Sequence, residues 1–396
     1  MRTESGTQGQ SATLAGLEGP RSLRPDELKA SHDLAVLCFG EGVGADQPVA
    51  GYAPAWRDSV EVFVHRGAPV AQIGVFHSRL NVCGSQTHIA SIGGVGTHPD
   101  YRGMGLGTRL LDHCTRKLVA EGACVMLISG TRGLYRRAGC VPAQIFRHVV
   151  WTGPQDGARL SPFTVRPATE ADARQCAMLY QMEPVHLVRC VEEFERRLRC
   201  RVPDGRLADN WIIEQASEPV AYMLTAVPWG KSREDGVHEM GLLGEYAGDR
   251  SVLLTAIDGL LANPELRELR LAVPWWDRGM LDWITPPNVD LGWSVLTAHT
   301  MRIVNWPGLM RDLRLYVAQR LTRRERRGLR FEQAGDRFAI TRGRGRLEFD
   351  GMAITRLVLG VPQGAEDLVP VPADGLGEVV RALFPLPSFI PGLNAR

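Results

Sequence analysis

The sequence predicts an α+β protein made of two mixed-sheet domains in tandem, followed by a smaller α+β domain. Three observations carry that expectation. Residues 91 to 140 read as strand, glycine-rich loop, amphipathic helix and strand. The same order of elements restarts after Val165-Arg166-Pro167, about 140 residues beyond Leu23-Arg24-Pro25, a spacing near one domain length. A chain of 396 residues also exceeds what one ordinary core organises.

The first 20 residues are polar and small and lack the apolar core of a secretion signal, so they read as a flexible tail. The first domain is expected over 21–152. Arg24-Pro25-Asp26-Glu27-Leu28 opens a helix with acidic residues in its first turn. Leu28, Leu34, Ala35, Leu37 and Cys38 supply its buried face, and Gly40 ends it. Glu41 to Ala55 is a Gly/Pro/Ala-rich loop placed near an acceptor site. Val60 to His65 alternates as a half-buried strand does. Val70 to His77 and Thr87 to Thr97 are further strands. In the helix after the glycine loop, Leu110, Leu111, Cys114 and Leu118 share one face, while Asp112, Arg116 and Lys117 lie off it. Gly122 sits at its C-terminal cap. Cys124 to Ile128 and Phe146 to Trp151 close the domain as strands.

Thr152 to Pro162 reads as a linker, and the second domain is expected over 163–305. Thr169 is its first N-cap, with Asp172 in the opening turn. Strands are expected at Trp211 to Ile213, Val220 to Val227, Val237 to Leu243 and Leu269 to Val273, with a helix at Val252 to Leu261. The turn before that helix is expected at Gly244 to Arg250. It carries Glu245 and Asp249 in place of alternating glycines, so a duplicated domain without an anion site is inferred. Trp229, Trp275 and Trp276 are read as core or domain-interface packing. The third domain, 306–396, shows helical periodicity over Leu309 to Leu321 and a hairpin about Gly343-Arg344-Gly345.

Composition excludes several functions. Net charge is +2, which gives no global case for a nucleic-acid partner. No apolar run is long enough to span a membrane. The eight cysteines form no CxxC pair, so no metal site is expected. They read as small buried hydrophobes of a reducing cytoplasm. The basic run Arg320 to Arg330 lacks interleaved aromatics and is read as a solvated helix face or a subunit contact.

The chemistry concentrates at Arg102-Gly103-Met104-Gly105-Leu106-Gly107. Glycines at alternate positions let the backbone take positive φ and gather N–H groups. The helix that follows adds its free N-terminal amides and partial positive charge, and Arg102 adds a fixed cation. The result is an anion site suited to phosphate. A dinucleotide fingerprint would need a glycine where Thr108 or Leu110 stands, and a P-loop would need Gly-Lys-Ser/Thr.

The remaining pattern, R-G-x-G-x-G after a strand with Leu134-Tyr135-Arg136-Arg137-Ala138-Gly139 downstream, closely resembles the GNAT acetyltransferase superfamily. The three-part order resembles its enhanced intracellular survival family: an active GNAT domain, a degenerate GNAT-like domain and a sterol-carrier-like C-terminal domain. MRIVNW at Met301 to Trp306 and Leu383-Phe384-Pro385 match that third part more loosely. The resemblance implies an acetyl-CoA-dependent N-acetyltransferase without a metal, acting on a primary amine as a cytoplasmic homo-oligomer. It implies that the Val95 and Thr97 backbone holds the pantetheine arm. Arg102, Gly103, Gly105, Leu106, Gly107 and Thr108 would hold the pyrophosphate. Tyr135 would protonate the leaving thiolate, and the terminal carboxylate of Arg396 would serve as base. Ala138 departs from the aromatic usual before Gly139.

Physical requirements frame the reaction. Neutralising a lysine-like amine at pH 7 costs about 4.6 kcal/mol, so a base or a site hostile to the ammonium is wanted. Transfer of a proton from a phenol of pKa about 10 to a thiolate of about 8.5 is uphill by roughly 2 kcal/mol. A strong hydrogen bond from Tyr135, completed late, is therefore expected. Glu41, Asp46, Asp58, Glu61, His65 and His77 are the acceptor-side titratable residues, none singled out as the base. His98 reads as a turn residue. The competing class is a non-catalytic CoA- or lipid-binding protein, and a lipid carrier would need a continuous apolar cavity in Leu309 to Arg396.

Overall fold

The computed structural model describes residues 15–40, 59–152, 163–199, 208–226, 240–261, 266–284, 288–295, 299–366 and 368–389. The chain divides into two compact units, Met1–Val75 with Gly94–Cys114, and Phe76–Gly93 with Thr115–Arg396.

In the first unit β1 (Glu18–Ser22) leads through a short 3-10 turn into α1 (Leu28–Phe39). β2 (Val60–His65) runs antiparallel to β1 and to the first half of β3 (Ala68–Val82), with Arg21 opposite Val62 and Val60 opposite Gly74. The end of β4 (Ser85–Thr97) and the start of α2 (Leu106–Ala120) complete the unit. All six β2 residues are buried, where alternation predicted a half-buried strand. The polar members are satisfied internally, as burial requires: Glu61 accepts from Ser22 Oγ at 2.8 Å and lies 3.1 Å from His113 Nε2. α1 buries Ser31, Leu34 and Ala35, whereas Leu37 is exposed. In α2 the expected face holds: Leu110, Leu111, Cys114 and Leu118 are buried.

In the second unit β4 pairs parallel with β5 (Val125–Ser129), from Ile89↔Val125 to Ile92↔Ile128. After β5 come α3 (Gly133–Arg137) and β6 (Phe146–Trp151). The duplicate then begins with β7 (Phe163–Pro167), α4 (Ala173–Gln181), β8 (Val185–Leu187) and α5 (Val191–Arg199). β9 (Ala208–Gln215), β10 (Glu218–Ala226), β11 (Met240–Gly248), α6 (Arg250–Leu261), β12 (Glu268–Pro274), α7 (Arg278–Leu281), β13 (Val289–Ser294) and β14 (His299–Ile303) follow. The second sheet has the order β13-β6-β12-β11-β10-β9-β7. Val149, Leu253, Ile257 and Leu271 are central to its core.

The two copies exchange their last strands. β6 does not close the first sheet. It lies between β12 and β13, with Leu271 opposite Val149. β14 takes the place beside β5, with Met301 opposite Leu127. Burying apolar faces in the partner sheet joins the copies through two ladders.

The third region comprises α8 (Trp306–Asp312), α9 (Arg314–Arg320), α10 (Arg323–Arg326), the antiparallel sheet β15 (Leu329–Ala334), β16 (Arg337–Arg342), β17 (Gly345–Asp350), then α11 (Gly351–Leu359) and α12 (Gly375–Leu383). The expected hairpin at Gly343 is present, with φ +59° at that glycine. The helical stretch Leu309 to Leu321 is two helices meeting at Leu313.

Candidate functional site

The loop between β4 and α2 is built from local requirements. Gly94 takes φ +57° just after the β4–β5 register ends. Val95 and Thr97 follow, both half-buried. His98 caps the next turn, its Nδ1 accepting from the Asp100 amide at 3.3 Å, while its own amide donates to the Val70 carbonyl. Arg102 is fixed against the strand: Nε donates to the Thr97 carbonyl at 3.3 Å, and the side chain is exposed. Gly103 and Gly105 take φ of +79° and +75°. A Cβ at either would meet nothing within 4 Å, so conformation rather than crowding demands glycine. Leu106 is buried and anchors the helix start. The amide of Arg109 donates to the Gly105 carbonyl. Those of Leu106, Gly107 and Thr108 precede that first helical bond, the positions helices present to an external acceptor.

The acceptor-side titratable residues are largely committed. His65 Nδ1 lies 2.6 Å from the Tyr101 hydroxyl and Nε2 lies 3.2 Å from the Ala15 carbonyl. A carbonyl only accepts, so Nε2 donates to Ala15, and Nδ1 is engaged by the Tyr101 hydroxyl. Glu61 is buried on His113 and Ser22. His77 lies between His88 at 2.8 Å and Glu121 at 3.1 Å. Glu41, Asp46, Asp58 and Arg396 lie outside the described residues.

Tyr135 belongs to the second unit, on α3, and is buried. Burial pushes its phenol above the ordinary value, with Arg132 opposing. It packs on Gly130, where φ is +138° and an added Cβ would stand 3.0 Å from Tyr135 Cε2. β14 holds this segment from the side. Thr300 Oγ1 donates to the Gly130 carbonyl at 3.0 Å, Arg302 Nη1 donates to the Ala138 carbonyl at 2.8 Å, and Val141 bridges Met301. Sequence reasoning matched MRIVNW to the third part and missed this support. Strand exchange leaves no local pattern by which to find it.

The second copy lacks the loop. Gly244 to Gly248 is not a turn but the end of β11, where Glu245, Tyr246 and Ala247 are all buried. Glu245 accepts a bidentate pair from Arg189 at 2.9 Å each, and a bond from the Tyr222 hydroxyl at 2.7 Å. Residues 98–105 separate β4 from α2, whereas Asp249 alone separates β11 from α6. The α6 start already has its anions. Asp249 Oδ1 accepts from the Ser251 and Val252 amides. Glu183 accepts from the Gly248 amide at 3.0 Å and from both terminal nitrogens of Arg250. Asp277 binds Arg250 Nε at 3.0 Å and the Tyr246 hydroxyl at 2.9 Å. In α7, Met280 stands where α3 has Tyr135 and cannot donate a proton.

Residues 20–143 match the family model for the acetyltransferase (GNAT) domain. The N-terminal region is therefore a GNAT acetyltransferase domain. No curated protein matches the sequence. Among solved structures, Eis1 from Mycobacterium abscessus is similar with a TM-score of 0.62 at 14% identity, covering 94% of this chain and 98% of that one. A GCN5-related N-acetyltransferase from Anabaena variabilis gives 0.58 at 13% identity, covering 84% and 88%. A probable N-acyltransferase from Enterococcus faecalis gives 0.58 at 14% identity, covering 85% and 86%. At these identities the likeness is one of fold, and it extends through both copies and the third region. Among the described residues no helix is long and apolar enough to cross a membrane, and no cluster of three or more His, Cys, Asp or Glu is arranged to hold a metal.

Proposed function

We propose that the protein is an acetyl-CoA-dependent N-acetyltransferase that acylates a primary amine, a polyamine or aminoglycoside-like molecule or a lysine, at its first copy only. The observation that carries this reading is the β4–α2 loop: paired positive-φ glycines beside an arginine pinned to the Thr97 carbonyl. Acetyl-CoA supplies the activated acyl group. The Val95 and Thr97 backbone orients the pantetheine arm. Arg102 and the amides of Gly103, Gly105, Leu106, Gly107 and Thr108 neutralise the pyrophosphate. Tyr135 donates a hydrogen bond to the departing sulfur. Its raised pKa keeps the phenol protonated at pH 7 and makes full transfer costlier than the reference roughly 2 kcal/mol. A hydrogen bond maintained through the transition state, rather than early proton loss, is the role its environment favours. The commitments of Glu61 and His65 leave neither as the free base.

A lipid-carrier reading finds little support. Among the described residues an enclosed apolar cavity lined by Leu80, Ile89, Val125, Leu309, Leu359 and Phe389 holds about 20 Å³, room for about one water. We take the third region as structural. Release of free thiol from acetyl-CoA across an amine panel tests the proposal. Turnover that vanishes in Tyr135→Phe is expected. Absence of turnover with every amine, together with absence of CoA binding, would overturn it.

A further inference from the structure

The third region holds a charge feature that acetyl transfer does not use. Residues 311–346 contain twelve arginines and four carboxylates, a net +8 in a chain of net +2, so the rest of the chain carries −6. Folding sharpens this asymmetry. α10 is a single turn fixed by a capping box, in which Thr322 accepts from the Glu325 amide and Glu325 accepts from the Thr322 amide and hydroxyl. The β16–β17 hairpin turn folds beside it, with Arg342 Nη2 donating to the Arg324 carbonyl at 3.2 Å. Leu329 pairs with Arg342, which brings Arg330 to the same end of the sheet. Seven arginines, at 323, 324, 326, 327, 330, 342 and 344, thus share one end of the small sheet. Among the described residues none of the seven makes an ion pair. The single acid in their midst, Glu325, is committed to its cap.

We propose that this end of the third region is a docking surface for the phosphate backbone of a nucleic-acid duplex. The sequence run, lacking interleaved aromatics, read as a solvated helix face or a subunit contact; the arginines at 342 and 344 are remote from it in sequence. The structure adds them and fixes both arms on capped or hydrogen-bonded turns. Guanidinium groups carried on such turns can match arrayed phosphates bidentately. Two absences choose among polyanions. No exposed large hydrophobic side chain lies within 320–346 among the described residues, which leaves nothing to insert into a lipid surface. No exposed aromatic lies there either, so unstacked bases find no platform. Backbone neutralisation of a duplex, without sequence preference, is what remains.

The test is fluorescence anisotropy of the full chain with a labelled 20-base-pair duplex of arbitrary sequence. Neutralising four phosphates predicts affinity falling about 100-fold between 50 and 200 mM salt. Reversing Arg323, Arg327 and Arg344 to Glu together should abolish binding. An equal charge reversal at exposed Arg174, Arg196 and Arg278 should leave most of it. Circular dichroism and acetyl-CoA titration confirm that both variants fold. Three results would each overturn the proposal: no duplex binding at 50 mM salt, equal loss in both variants, or tip-dependent binding to phosphatidylserine vesicles without duplex binding.

Discussion

Arg21 and Arg166 stand 145 positions apart and make the same bond. Arg21 grips Glu27 with two nitrogens, at 2.6 and 2.9 Å, and Arg166 grips Asp172 at 2.8 and 2.9 Å. Each acid also accepts a backbone amide three residues before it, from Arg24 or Thr169. β1 and β7 begin at 18 and 163, and α1 and α4 at 28 and 173, so one offset of 145 relates both pairs. The sequence echo between Arg24-Pro25 and Arg166-Pro167 placed the repeat three residues short of this register. Conserving a strand-to-helix clamp needs an arginine and an acid six residues apart, not the same tripeptide.

The clamp makes the second copy acid-labile. Hydrogen bonds from Arg166 hold Asp172 at about 2, against desolvation and with help from Thr169. A depressed carboxylate contributes stability above its unfolded pKa of about 3.9 and loses it as pH falls toward 2. Asp172→Asn should cost about 2 kcal/mol at pH 7. It should flatten the acid limb of the stability profile between about pH 4 and 2, read by urea melts across pH.

Tyr135→Phe should lower kcat roughly 10²-fold with little change in KM for acetyl-CoA. Steady-state kinetics decide this, and a change in KM alone would point to a packing role.

Gly130→Ala should injure the same step from beneath. The added Cβ would press on Tyr135 at 3.0 Å and hold a backbone at φ +138°. Both kcat and the melting midpoint should fall, whereas Tyr135→Phe should leave the midpoint nearly unchanged.

Glu183→Gln should uncouple stability from catalysis. The side chain is nearly buried between Arg250 and the Gly248 amide. Removing its charge leaves Asp277 as the remaining acid on the Arg250 guanidinium and should cost about 2 kcal/mol. Acetyl-CoA should bind the folded variant as it binds the wild type.

How much of this was legible follows from the range of each signal. The anion loop and α2 were readable, because glycine conformation, helix starts and the Leu110 to Leu118 face are local. The failure at Gly244 to Arg250 was also local in origin: an acid beside glycines looks like a turn until its buried partner Arg189, 56 residues away, is known. Strand exchange was invisible because β6 and β14 carry the same alternation whichever sheet receives them. For that reason Thr300 and Arg302 gave no sign that they hold Gly130 and Ala138.

The most direct test of the account is calorimetric titration of the intact chain with acetyl-CoA. One site per chain is predicted, weakened at least about tenfold by Arg102→Ala, a loss of about 1.4 kcal/mol. Two sites per chain would contradict the reading of α6 as already supplied with its own carboxylates. Binding indifferent to Arg102→Ala, or no binding at all, would contradict the assignment of the β4–α2 loop.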